Sequence, residues 1–302
     1  MAIGWERSNE KCWGYGARYT VQGRTANRIP CTVYRKPSSY NYSLPRPILP
    51  IPQIVTLLTR ARRANVVSQP SNLDLQHQAI AIHNRLCAEY GCPIPYFHNL
   101  DPLSELVSSL LSHRTKNHDS GRAFKQLVAQ FPTWAAVRDA PTAAVEAAIA
   151  PCTWPEQKAP RIQQVLKLIG EATNGAWSLD FLQAMPVAEA RAWLEALPGV
   201  GPKTSAAVLC FSQLRGRALP VDSHHHRVAQ RLGLITKTLA VGPSHAVLEA
   251  LLPEDWNAQQ VYDHHEVMML HGQRCCFYNN PACDRCVVLS LCPDGQARLA
   301  AP

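Results

Sequence analysis

Acidic residues are scarce where this 302-residue chain begins: residues 1 to 73 carry eleven Lys and Arg against Glu6 and Glu10 alone, a net of +9. Residues 74 to 302 carry nineteen basic and twenty acidic side chains, a net of −1. The overall charge of +8 favours a polyanionic partner. The later, nearly neutral part can bind one only through local placement of charge. Long apolar runs are also missing. The most apolar early stretch, Pro47 to Leu58, is short and broken by three prolines, which excludes a membrane span there. Glu6, Arg7, Glu10 and Lys11 stand where a secretory signal needs an apolar run, so none is expected. No methionine occurs between Met1 and Met185 to mark a second start. Residues 1–70, which mix Gly, Pro, Ser, Tyr and Arg without periodicity, therefore read as a disordered basic arm, a transit segment or an upstream extension.

Strand-like alternation is absent throughout, whereas helical spacing is frequent. Leu75, Ala79, Ile82 and Leu86 recur at helical intervals, with Ser71 or Asn72 as cap and Gly91 as stop. Asp101-Pro102 opens a second helix whose stripe is Leu103, Leu106, Val107, Leu110 and Leu111. Further helices are predicted at 119–131, 141–150, 156–170, 187–196, 202–211, 224–232, 243–252 and 256–271. The expected fold is all-α, with two helical lobes flanking a cleft.

Within this pattern Leu197-Pro198-Gly199-Val200-Gly201 forms a tight turn, its two glycines tolerating left-handed backbone. Pro202 then starts a helix at the position where a missing N–H costs nothing. The free N–H groups of that helix point back at the turn and make an anion site suited to phosphate. Lys203 lies in its first turn, where the macrodipole and burial disfavour the protonated amine. Asp222 precedes Ser223-His224-His225-His226-Arg227 and is either an N-cap or a catalytic group held still by capping. Read alone, Lys203 is either a nucleophile or a phosphate contact.

Cysteine, unlike acid, is plentiful. Five of the eleven crowd between Cys275 and Cys292, and the odd total argues against complete pairing. A reducing compartment and a metal site are expected. Cys276, Cys283, Cys286 and Cys292 are separated by six, two and five residues. Four thiolates so close can share one centre, whose binding would supply much of the loop's folding energy. Zinc and an iron–sulfur cluster both accept four thiolates. The adjacent Cys275 is expected to be a free thiol. Arg274 and Arg285 offer the loop positive charge for a phosphate backbone, or form a solvated surface.

LPGVGPKT followed by VDSH resembles the helix-hairpin-helix motif and catalytic aspartate of the endonuclease III family of DNA glycosylases, over roughly Leu73 to Cys292. The resemblance implies a [4Fe-4S] cluster on the four cysteines, with Lys203 as nucleophile and Asp222 as its electrostatic and acid-base partner. It also implies DNA contacts from Leu197, Gly199, Val200 and Gly201. Arg114, in Leu111-Ser112-His113-Arg114-Thr115, stands where many relatives have a gap-filling glutamine. Trp154 stands near the family's second intercalating wedge, where it would be exposed, or else it is a core residue. The implied lobes are about 101–227, holding the hairpin, and about 71–100 plus 228–292, holding the cluster, within a domain of 71–300.

The implied activity is removal of damaged, oxidised pyrimidine bases from double-stranded DNA, followed by nicking at the abasic site through a lysine imine. Two rival readings stand beside it: a mismatch or adenine glycosylase without lyase chemistry, and a DNA-binding module without chemistry. Lys203 argues against the first, as does the lack of a sizeable domain after Cys292. The histidine triplet and His264-His265 suggest no metal site, because adjacent helical residues point in different directions. A monomer in the cytoplasm, associated with the nucleoid, is expected.

Overall fold

The computed structural model describes residues 71–301, so the basic arm lies outside the described residues. Those residues are helical, with no strand among them. In order they form α1 (Asn72–Tyr90), α2 (Pro102–Ser112), α3 (Asn117–Gln130), α4 (Trp134–Asp139), α5 (Thr142–Ala148) and α6 (Pro155–Ala172). Then come α7 (Val187–Glu195), α8 (Pro202–Phe211), α9 (Ser223–Leu232), α10 (Val241–Glu249), α11 (Ala258–Arg274) and α12 (Pro293–Ala300).

Local chemistry sets many of the boundaries. Ser71 and Asp74 form a reciprocal capping box that starts α1, and Gly91 ends it in left-handed backbone at φ 83°. The Asp101 carboxylate accepts the N–H groups of Leu103 and Ser104, and Pro102 enters the first turn of α2. Helices α4 and α12 were not expected. The first has six residues and one buried side chain, too few for a periodic signal.

Two hydrophobic cores organise the chain. The first joins apolar faces of α2 to α8, including Leu106, Leu110, Ile162, Leu166, Leu194 and Val208. The second joins α1 to residues after Leu219, including Ile82, Leu86, Val228, Leu232, Val267 and Met268. Each such fully buried side chain stabilises its core by about 1.5–3 kcal/mol relative to exposure. The chain crosses between cores at residues 92–101 and again at 218–221, and α2 packs against α8 while α9 packs against α11. Helix α11 also meets α8, and the start of α8 lies near enough to the start of α9 for Asp222 to act on the charge of Lys203.

Two expectations need correction. Gly199 is left-handed at φ 80°, but Gly201 is extended at φ −118°, ψ −176° and needs no glycine for its backbone. Cysteine chemistry is also not confined to free thiols and a metal site, because Cys87 and Cys92 form a disulfide. The reversal at Gly91 produces it: the N–H groups of Gly91 and Cys92 both donate to Cys87 O, at 2.8 and 3.2 Å, folding the chain back on the last turn of α1.

Candidate active site

The hairpin is built from α7, the turn at 197–201 and α8. Ser205 Oγ donates to Glu195 Oε1 at 2.6 Å and so ties α8 to α7. A Cβ at Gly199 would lie 2.6 Å from Arg161 Cδ, so the glycine also admits a side chain from α6. Leu197 and Val200 are 8% and 7% exposed, their side chains packed in the first core. The turn can therefore meet a phosphate with its backbone, not with these two side chains.

Lys203 occupies the first turn of α8 and is half-buried. Burial lowers its pKa, and the carboxylates of Glu105 and Asp222 oppose that shift. A larger neutral fraction makes the amine a better nucleophile. Beside it, His113 Nε2 lies 2.9 Å from Thr204 Oγ1. Burial, then the positive charges of Lys203, Lys158 and Arg161, push the pKa of His113 down to about 4, so this ring is neutral at pH 7.

Asp222 is the N-cap of α9. Its Oδ1 accepts the His225 N–H at 2.7 Å, which fixes the carboxylate at the start of α9. The preceding backbone is clamped by two buried imidazoles. Pro220 O can only accept, so the Nδ1–H of His265 donates to it at 2.8 Å. Val221 N–H donates to His245 Nε2 at 3.1 Å, which leaves His245 Nδ1 to donate to Val241 O and Gly242 O, each 3.0 Å away. Glu266 adds a further acid: burial, then the negative charges of Asp222 and Asp263, raise its pKa to about 7.

Arg114 and Trp154 line one cavity with His113, Gln157, Lys158 and Arg161. Both adopt left-handed backbone at φ 55°, and Trp154 is 49% exposed, so it is not a core residue. The rim of this cavity is fixed by Lys158, whose ammonium donates to Leu111 O, His113 O and Thr115 Oγ1 at 2.6, 2.8 and 2.7 Å. It thereby caps the carbonyl end of α2.

At the other end of α9 lies the cysteine loop. Cys276, Cys283, Cys286 and Cys292 all line one apolar cavity together with Cys275 and His271. The Sγ atoms of Cys275 and Cys286 and a ring nitrogen of His271 lie within 4.8 Å of one another and could hold a metal ion. Arg231 Nη1 donates to Cys276 Sγ at 3.3 Å, and the Gly295 N–H donates to Cys292 Sγ at 3.2 Å. A Cβ on Gly295 would lie 3.3 and 3.6 Å from the sulfurs of Cys292 and Cys283, so glycine leaves that side of the cavity open. Four sulfurs around one apolar cavity, with N–H donors aimed at two of them, suit a thiolate-ligated centre. Arg227 holds the same loop through Gly272 O at 2.7 Å and Cys276 O at 3.0 Å.

Glu105, His113, Lys158, Glu195 and Glu266 were not singled out in the sequence. Glu105 carried a signal, because it breaks an apolar helical stripe and has Ser109 one turn later. Glu266 carried none, since its burial depends on packing between α11 and the Asp222 region.

The family model described as HhH-GPD superfamily base excision DNA repair protein matches residues 107–257. An Arabidopsis thaliana protein with a provisional DNA glycosylase name is 32% identical over 173 residues, which span 57% of each chain. Endonuclease III of Thermotoga maritima is 31% identical over 193 residues, covering 64% of this chain and 83% of that protein. The fold also matches an endonuclease III caught as a covalent intermediate on DNA, with a TM-score of 0.63, 23% identity, and coverage of 74% of this chain and 98% of the other. The hairpin with Lys203 and Asp222 and the cysteine-lined loop are thus found in a chain that belongs to the HhH-GPD superfamily of base excision DNA repair proteins and, within it, to the endonuclease III family.

Proposed function

We propose that the protein is a DNA glycosylase with lyase activity that removes damaged bases, oxidised pyrimidines foremost, from duplex DNA. The observation that carries this reading is a lysine at a helix start whose protonated form is disfavoured by burial, with Asp222 fixed by its cap bond close enough to act on its charge. The base must leave the stack before its anomeric carbon can be reached. Neutral Lys203 attacks that carbon and the base departs with its bonding electrons and a proton. Asp222 stabilises the positive charge that develops on the sugar. The C1′–O4′ bond then breaks, O4′ takes up a proton as the ring opens, and the resulting imine acidifies the neighbouring C–H. Removal of that proton expels the 3′ phosphate and nicks the strand.

Arg114 and Trp154 are suited to the space vacated by the nucleotide: a guanidinium can bond an orphaned base edge, and an exposed indole can wedge between bases. Cys276, Cys283, Cys286 and Cys292 would hold a [4Fe-4S] cluster, which when bound stiffens the loop and presents it to DNA. No described helix is long and apolar enough to cross a membrane. The working place inferred for the enzyme is the cytoplasmic nucleoid.

Strand nicking on duplexes containing thymine glycol tests this reading. Lys203→Ala should abolish nicking and retain DNA affinity, and Asp222→Asn should slow it by more than a hundredfold. Base release that survives in Lys203→Ala would favour a monofunctional glycosylase. Unchanged DNA binding with no base release in the wild type would favour a binding module.

A further inference from the structure

One sulfur of the cysteine cavity faces a side chain from outside the loop. His271, in the last turn of α11, is 2% exposed, and its backbone carbonyl accepts the N–H groups of Cys275 and Cys276 at 3.0 and 2.7 Å. Its imidazole forms part of the wall of the same cavity. There Nε2 stands 3.6 Å from Cys286 Sγ. The other ring nitrogen, Nδ1, stands 3.1 Å from the hydroxyl of Tyr90, the final residue of α1. A ring so buried is neutral and has one N–H to place. A thiolate bonded to a metal can only accept, so the proton belongs on Nε2. Nδ1 then accepts the Tyr90 O–H.

We propose that His271 is a positioning residue for the cysteine-bound centre: its Nε2–H bonds the sulfur of Cys286 and raises the centre's reduction potential, and Tyr90 fixes the proton that does so. The inference rests on the four cysteines holding the [4Fe-4S] cluster. Hydrogen bonds to the sulfurs help set such a potential, because a donor at sulfur favours the state with more negative charge. Arg231 and Gly295 supply donors to Cys276 and Cys292. His271 does the same for Cys286, and it alone of the three is oriented by a side chain from α1. Tyr90 is held in its turn, with the Arg274 guanidinium carbon 5.8 Å from its ring centroid. The relay ties the end of α1 to one cluster ligand.

The midpoint potential of the cluster-loaded protein, read by voltammetry, distinguishes this role from a structural one. His271→Leu removes the donor and fills its space, so the midpoint should shift to lower potential at full iron content. His271→Gln returns an amide N–H to the same side of the cavity and should restore most of the shift. Tyr90→Phe, at a half-buried position, keeps the imidazole and frees its proton to sit on either nitrogen. Its midpoint should fall by less than that of His271→Leu. A merely structural role would lower iron content or thermal stability and leave the midpoint of the loaded fraction in place. An unmoved or raised midpoint in loaded His271→Leu overturns the proposal. Loss of iron from both His271 variants overturns it too, because the imidazole would then be a ligand or a prop. Should His271→Leu alone fail to fold or load, Tyr90→Phe decides, and the absence of a downward shift there overturns the proposal. Wild-type protein that binds no iron would overturn the cluster reading itself, a result distinct from all of these.

Discussion

The hairpin and the cysteine loop lie at the two ends of α9 and are stabilised in different ways. Around the hairpin, Leu197 and Val200 sit in a core of aliphatic side chains, and Ser205 and Glu195 lock the two helices together. That geometry needs no ligand. The segment from Cys275 to Cys292 has only two short 3₁₀ turns with no buried residue in either. Its shape relies on Arg227 and Arg231 bonding its carbonyls and on whatever the sulfurs share. A reactive lysine has to be held before its substrate arrives, whereas a loop folded by a metal centre can acquire its shape when the centre binds.

The difference predicts separable failures. Replacing Cys283 with Ala should abolish stoichiometric iron and its visible absorbance and expose the loop to proteolysis. The helical content of the rest should be retained, as circular dichroism would show. Full proteolytic resistance without iron would remove the distinction.

Acid should separate the two cores next. His225, His264 and His265 cluster in the second region, with ring centroids 5.4 and 5.9 Å from His225. Burial holds all three below the ordinary histidine value, to about 3 for His264 and about 4 for His265. The unfolded chain takes up protons near pH 6.5 that the folded chain refuses. Stability is therefore full above that pH and falls as the pH drops from 6.5 toward 4, by up to about 1.4 kcal/mol per histidine per pH unit. Hydrogen exchange at pH 5 should show α9 and α11 loosening before α2 and α6. Equal protection of all four would contradict this.

Smaller effects belong to the hairpin. Gly199→Ala places a Cβ in left-handed backbone and against Arg161, and should cost about 1–2 kcal/mol in urea unfolding. Ser205→Ala removes the bond to Glu195 and should cost about 1 kcal/mol. Neither should reduce iron content.

What the sequence revealed follows the same divide. Caps, the α8 start and the hydrophobic stripes were legible because they depend on near neighbours, as at Ser71, Asp101 and Pro202. The lysine and aspartate were legible through a linear motif. Glu105, His113 and Glu266 were not, because their importance arises from helices meeting across the fold. The disulfide had a readable spacing, but its formation depends on the left-handed reversal at Gly91. Leu197 and Val200 were expected to contact DNA through a motif that does not distinguish backbone contacts from side-chain contacts.

The central claim is that Lys203 is the nucleophile, and the more deeply buried Lys158 makes the test discriminating. Lys158 lies at the nearby cavity with its pKa also lowered by burial, but its ammonium is engaged by three acceptors. Borohydride trapping on an abasic duplex, followed by peptide mapping of the adduct, should find the reduced sugar on Lys203 and on no other residue. An adduct on Lys158, or undiminished trapping in Lys203→Ala, would contradict the account.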